Sequence, residues 1–220
     1  MVAYVPLALV SLFHRPWQKQ QGYFILYLIP AMLWSLSDFF LRSNLLHINQ
    51  SILVKIIICM GFWMVIQFHY VLSSYHSKPS RIPFAFLPLV VMIVLVALSR
   101  IPEAVTSTDG EIGVRYGHLV IVTAVPVFAI ICRDFYLLAR RRRSATQAAE
   151  RNQITYFLVV IVVGIVLIGG SFTEFGVSYA IAHVGNLVSA LVLLYATAAN
   201  QLLDVGAAFR RVLLYAWLTL

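Results

Sequence analysis

Residues 184–211 read VGNLVSALVLLYATAANQLLDVGAAFRR. The first half is an apolar run that reaches Tyr195, and the second half carries Asp204 and the pair Arg210-Arg211. An apolar run of this kind predicts a membrane-spanning helix, which needs about 20 predominantly apolar residues. The stretch therefore predicts a last complete span that continues into a polar connector on the aqueous side.

The composition extends this interpretation to the whole chain. Hydrophobic residues make up 61% of the sequence and charged residues 11%, whereas about a quarter of the residues in a soluble domain are charged. The mean hydropathy is +0.90. These values predict an integral membrane protein, and its length leaves room for about seven or eight spans and almost none for a soluble domain.

We expect an all-α fold, namely a polytopic membrane helical bundle of seven spans plus the start of an eighth. The first span is about 20 Å long against a hydrocarbon core of about 30 Å, so either the N-terminus is truncated or this span is tilted and completed by its neighbours. The chain thus divides into a bundle at 1–200, a connector at 201–211 and the beginning of the eighth span at 212–220. The seven spans are predicted at residues 1–13, 22–41, 51–75, 83–98, 118–138, 154–172 and 183–200.

The distribution of Lys and Arg predicts the orientation of the bundle. Cytoplasmic loops of membrane proteins carry an excess of basic residues, so the N-terminus and the polar connection 99–117 are expected outside and the connector inside. Eleven basic residues lie in the connections 14–21, 74–82, 139–153 and 201–211, and three lie in 42–50, 99–117 and 173–182.

The same rule explains the net charge of +8, so no nucleic acid is expected as a partner. The run Arg140-Arg141-Arg142-Arg143 is interpreted in the same way, as a topology signal at the surface of an anionic leaflet. A specific site for an anionic lipid or for a partner at this run is the alternative interpretation.

Several polar residues fall near the predicted outer ends of their spans. Ionisable groups at membrane depth usually face the bundle interior or a water-filled cavity, so these residues could line a pocket for a small polar or amphiphilic ligand. The alternative is that they reach to water at the interface or pair with one another, Asp38 with Lys55 for instance. The candidates are Asp38, Lys55, His118, Glu174, His183 and Asn186.

The sequence offers little for metal, cofactor or catalytic chemistry. His118, His183 and Glu174 are residue types that bind zinc, but they lack the short ligand spacings of a zinc site, so we predict no metal and no cofactor. His69 is predicted to be a hydrogen-bonded histidine near the inner interface rather than a haem ligand. Neither a phosphate-binding glycine loop nor a serine with a paired base is present, so the chain itself is not expected to be an enzyme.

Short strings spread over nearly the whole chain carry a resemblance to a known family. Three lie in the spans: Leu33-Trp34-Ser35-Leu36, Phe68-His69-Tyr70-Val71-Leu72 and Arg151-Asn152-Gln153-Ile154-Thr155-Tyr156. The others are Tyr195-Ala196, Leu202-Leu203-Asp204-Val205, Arg210-Arg211 and Leu213-Leu214-Tyr215. In their order and spacing they resemble the N-terminal seven-transmembrane sensor region of bacterial membrane histidine kinases. Ala198-Ala199-Asn200 stand where that family usually carries basic residues.

The resemblance implies a membrane sensor, the input module of a two-component signal-transduction system, in the bacterial inner membrane. Such a receptor would perceive a small ligand or a membrane state outside and relay it through the last spans to a fused or associated cytoplasmic signalling domain, which these residues do not contain. The lipid bilayer and a second copy of the chain are the other implied partners. The signal connector would consist of Leu202, Leu203, Asp204, Arg210 and Arg211. An accessory subunit of a membrane complex and a small transporter are the alternatives.

Overall fold

The computed structural model describes residues 4–13, 19–43, 49–75, 84–108, 111–170 and 181–198. Most of them are helical, as the sequence predicts. The helices are α1 (Tyr4–Phe13), α2 (Lys19–Ser43), α3 (Gln50–Ser74), α4 (Leu87–Ala97), α5 (Leu119–Ser144), α6 (Ala148–Gly170) and α7 (Ile181–Ala198), and the strands are β1 (Ala104–Thr108) and β2 (Glu111–Arg115).

Four of the helices in these ranges are long and apolar enough to cross a membrane: Lys19–Ser43, Gln50–Ser74, Leu119–Ser144 and Ala148–Val166. Leu87–Ala97 and His183–Tyr195 are shorter apolar helices. By the length and composition of these helices, the chain is a multi-pass helical membrane protein. The number of seven spans stays a prediction, and the eighth span at 212–220 lies outside the described residues.

The outward surface of α5 fits a lipid environment. Ile121, Val122, Val125 and Phe128 are each more than half exposed, and their spacing places them along one side of the helix. A water-soluble protein rarely exposes a contiguous apolar surface of this kind. This side of α5 is therefore suited to contact with lipid acyl chains.

The polar segments differ most from the sequence-based prediction. The arginine run, predicted to lie in a connection at 139–153, is the last part of α5, and α6 begins at Ala148 rather than at 154. Arg, Ala, Gln and Glu are strong helix formers, and cations near a helix C-terminus interact favourably with its dipole. The non-helical connection between α5 and α6 is therefore reduced to residues 145–147.

The outer connection predicted at 99–117 contains a β-hairpin. Strands β1 and β2 pair antiparallel, with Ala104 opposite Arg115 and Thr108 opposite Glu111. A signal for this hairpin is present in the sequence, because Asp109-Gly110 is a preferred pair for two-residue hairpin turns and is flanked by β-branched residues. Hydropathy alone predicts a polar loop for this segment.

The described helices and strands divide into two compact units, and the chain passes between them within α2 and within α5. The first unit comprises Met1–Ile25 and Arg133–Leu220. In this unit α6 packs along α7, and α1 also contacts α7. Tyr156 of α6 meets Tyr195 of α7 edge to face, with ring centroids 5.1 Å apart.

The second unit comprises Leu26–Cys132. Its apolar cluster joins α3, α4 and the segment before β1 through Val54, Ile58, Met92, Val96 and Ile101, all of which are buried. One residue of each strand and one of α5 pack against the same cluster, namely Val105, Val114 and Val120. The hairpin is therefore anchored on the helices, and the first turn of α5 is held with it.

We predict that Gly117→Ala destabilises the second unit by about 1–2 kcal/mol, the cost of left-handed backbone for a residue with a side chain. Gly117 has φ +76° between β2 and α5, and a Cβ there would collide with the Glu103 carboxylate group. The measurement is the thermal unfolding midpoint of the detergent-solubilised chain by circular dichroism.

Gly22→Ala is the matched control, because a Cβ at Gly22 meets nothing within 4 Å and alanine favours the helix. Its midpoint should equal or exceed that of the unaltered chain. A Gly117→Ala variant as stable as Gly22→Ala would contradict this account of the β2–α5 junction.

Candidate functional site

Helix α5 has a polar network at each of its ends, and these two networks are the candidate functional site. We call the end at Leu119 the hairpin end and the end at Ser144 the arginine end. The hairpin end belongs to the second unit, and the arginine end belongs to the first.

The hairpin-end network begins at the C-terminus of α4. The backbone N–H of Ser99 donates to Val96 O at 3.0 Å and that of Arg100 to Leu95 O at 2.8 Å, with Ser99 at φ 55°. This is the αL ending of a helix, where glycine is the usual residue. Ser99 Oγ also accepts a 2.9 Å hydrogen bond from Lys55 Nζ on α3, so a backbone turn of unfavourable conformation is linked to a half-buried lysine.

Glu103 and Arg115 close the base of the hairpin. The Glu103 N–H donates to Arg115 O at 2.9 Å, and the Arg115 Nε lies 3.6 Å from Glu103 Oε2. Both side chains are exposed, so the ion pair itself contributes little. Burial raises the pKa of the adjacent Tyr116 phenol.

The predicted ligand residues are distributed over both units. Asp38 accepts from Arg42 Nε at 2.8 Å one turn along α2, and Lys55 Nζ donates to Ser99 Oγ. The Asp38–Lys55 pair suggested above stays a prediction. His118 is exposed just before α5. All of these residues belong to the second unit.

The other predicted ligand residues belong to the first unit or lie outside the described part. His183 is half-buried and Asn186 is buried on α7. Asn186 Nδ2 is buried and has no hydrogen-bond partner among the described residues. Among the predicted ligand residues in the described ranges, Asn186 is therefore the one with a buried N–H donor that a ligand could engage. Glu174 lies outside the described residues, and a common pocket for the six residues stays a prediction.

The signal-connector residues also lie outside the described residues. They are Leu202, Leu203, Asp204, Arg210 and Arg211. Their assignment continues to rest on the sequence.

The arginine-end network joins α5 to α6. Arg141 contacts Glu150 Oε1 through Nη2 at 2.6 Å and through Nε at 2.8 Å, and both side chains are about one-third exposed. Arg142 Nε donates to Thr155 Oγ1 at 2.9 Å, while that hydroxyl donates to Arg151 O at 2.8 Å. We call Arg141, Glu150, Arg142 and Thr155 the α5–α6 clasp.

The clasp and one buried acidic residue were not predicted from the sequence. The clasp was not predicted because the arginines were assigned to a connection, although Glu150 follows them a few residues later in the sequence. Asp134 is 7% exposed on α5, and its Oδ1 lies 4.0 Å from Arg133 Nη1. A carboxylate within a predicted span is a signal of a functional residue, and it was available in the sequence.

The histidines bear on the metal and haem alternatives. Within the described ranges, no group of three or more His, Cys, Asp or Glu side chains could hold a metal ion. His69 is buried, and its ring meets Tyr70 edge to face with ring centroids 5.4 Å apart. The hydrogen bond predicted for His69 stays a prediction.

Comparison of the chain with protein-family models, with curated proteins and with solved structures gives no match. The function is therefore inferred from the residues, their contacts and the resemblance of the quoted strings.

We predict that Ser99→Ala is less stable than Ser99→Gly by about 1 kcal/mol. Both variants lose the hydrogen bond from Lys55, but only glycine relieves the left-handed backbone. Thermal unfolding of the detergent-solubilised variants measures the difference. Repeating the pair in a Lys55→Met background, where the hydrogen bond is absent from the start, should leave the difference unchanged; equal stabilities in both backgrounds would refute the strained turn.

Proposed function

We propose that the chain is the membrane sensor module of a signal-transduction histidine kinase in the bacterial inner membrane. In this proposal the hairpin end of α5 faces outside and the arginine end faces the cytoplasm, as the distribution of basic residues predicts. A small polar or amphiphilic ligand, or a state of the membrane, is perceived in the outer half. The response passes through the last spans to the connector and to a cytoplasmic signalling domain.

The observation that carries the proposal is that α5 contacts other elements at both of its ends. Val120 packs against the apolar cluster under the hairpin, and Arg141 is bonded to Glu150 of α6. Pro126 lies inside α5 between these two ends, and an interior proline removes a backbone hydrogen bond and can kink a helix. In this proposal a change of packing at the hairpin end bends α5 at Pro126 and thereby alters the Arg141–Glu150 contact of the α5–α6 clasp.

The arginine end offers a route onward to the connector. Helix α6 packs along α7, and Tyr156 contacts Tyr195 near the end of α7. The connector begins a few residues after Ala198. A displacement of α6 at the clasp would thus be passed to the last described helix before the connector.

A ligand can drive this relay only if it binds two packings of the helices with different affinity. Useful coupling between sites amounts to about 1–3 kcal/mol. An ion pair that is partly buried and shared by two helices is an interaction of suitable size to differ between two packings. The clasp is therefore the element that we propose to be bistable.

The test is a chimera in which the complete chain is fused to the cytoplasmic core of a characterised bacterial histidine kinase. Autophosphorylation is measured in membrane vesicles that contain equal amounts of each chimera. Arg141→Gln and Glu150→Gln should each change autophosphorylation about fivefold or more and in the same direction, because both remove the same interaction. The exchanged pair Arg141→Glu/Glu150→Arg should return it toward the original level.

Arg151→Gln is the matched control, because it removes an exposed charge from the same end of α6 without touching the Arg141–Glu150 pair. Its chimera should behave as the unaltered one does. Autophosphorylation that is insensitive to both clasp variants, or that responds equally to Arg151→Gln, would contradict the proposed relay.

A further inference from the structure

The four consecutive arginines at the end of α5 fall into two pairs. Arg141 and Arg142 are engaged by Glu150 and Thr155 of α6. Arg140 and Arg143 are exposed, and neither makes a side-chain hydrogen bond or ion pair to any residue in the described part of the chain. Successive side chains of a helix point about 100° apart, so the two pairs lie on different sides of α5.

The open pair lines a concave surface of about 390 Å³. Its described lining residues are Tyr136, Ala139, Arg140, Arg143 and Ser144, which recur at three- and four-residue intervals and so share one side of the helix. The Ser144 hydroxyl donates to Arg141 O at 3.0 Å. The donors left for a ligand are therefore the two guanidinium groups and the Tyr136 hydroxyl.

The chemistry of these donors selects an anion with several oxygens. A guanidinium group presents five N–H donors in a planar fork that matches phosphate oxygens. No acidic side chain is among the described residues that line the concavity, and Glu150 is already bonded to Arg141. We propose that this concavity is a phosphate-binding site in which Arg140 and Arg143 hold the anion and the Tyr136 hydroxyl is a further donor.

The position of the site on α5 fits the phosphodiester of a lipid headgroup. From Tyr136 to Arg143 the helix rises about 10 Å, which is comparable with the roughly 5–8 Å depth of the headgroup region on one side of a bilayer. Tyrosine favours this interfacial depth. The exposed Phe128 and Phe135 precede Tyr136 in α5, toward the apolar middle of the helix. A free phosphate ion presents the same oxygens, so the test distinguishes the two sources.

The experiment titrates the complete detergent-solubilised chain with phosphatidylglycerol and counts bound lipid by native mass spectrometry. A monoglucosyl diacylglycerol with the same acyl chains is the phosphate-free comparison. Arg140→Gln/Arg143→Gln should weaken phosphatidylglycerol binding about thirtyfold, since each basic residue near an anionic lipid contributes about a fivefold factor in affinity and two such factors multiply. The glucolipid should bind weakly to both proteins.

Lys19→Gln/Arg151→Gln is the matched control, because it removes two exposed charges that are predicted to lie on the same side of the membrane as Arg140 and Arg143. It should bind phosphatidylglycerol as the unaltered chain does. Arg140→Lys/Arg143→Lys keeps the charge and the helix but loses the planar fork, so it should bind with intermediate affinity. This variant also serves if the glutamine variant fails to fold.

Inorganic phosphate is then added against sodium chloride of equal ionic strength. Displacement of phosphatidylglycerol by phosphate assigns the site to the free ion, and retention of the lipid assigns it to the headgroup; either result supports the phosphate site. Unchanged binding in the glutamine variant, an equal loss in the Lys19/Arg151 control, or equal binding of the glucolipid would overturn it. The assay reads no kinase output, so its result is independent of the proposed sensor function.

Discussion

Lipid offers no hydrogen-bond partners to a polypeptide backbone, so a segment within a bilayer must satisfy its own N–H and C=O groups. The long apolar segments of this chain are accordingly helical. Hydroxyl side chains within these helices follow the same constraint and donate to their own backbone. Ser11 bonds to Leu7 O, Ser74 to Val71 O and Thr123 to Val120 O. The contacts Lys55–Ser99 and Arg141–Glu150, which join side chains of different elements, lie near helix ends.

Both candidate networks use polar contacts at the ends of α5. At the hairpin end a lysine, a strained serine turn and the hairpin surround an apolar cluster. At the arginine end two guanidinium groups bind α6, and two stay open on the side of Tyr136. One helix therefore supplies both a candidate relay contact and a candidate phosphate site. The two can be separated experimentally because different arginines serve them.

Hydropathy predicted the apolar helices well and the polar segments poorly. The predicted spans 22–41 and 51–75 differ from α2 and α3 by only a few residues at each end, because their apolar length determines them. The arginine run and the hairpin were assigned to connections, since a polar stretch resembles a loop when helix propensity and the Asp109-Gly110 turn are not weighed. The pairs Lys55–Ser99 and Arg141–Glu150 depend on which helices become neighbours. Asp134, next to Arg133, was visible in the sequence as a charge within an apolar run.

The central claim is that α5 crosses the membrane with its hairpin end outside and its arginine end in the cytoplasm. Single cysteines replacing Ala104 and Ala148, two exposed alanines, test it in a Cys59→Ala/Cys132→Ala background. Intact cells are treated with a membrane-impermeant maleimide before and after permeabilisation. Ala104→Cys should react in intact cells and Ala148→Cys only after permeabilisation. Reaction of both cysteines from the same side would contradict the crossing, and the reverse pattern would contradict the orientation.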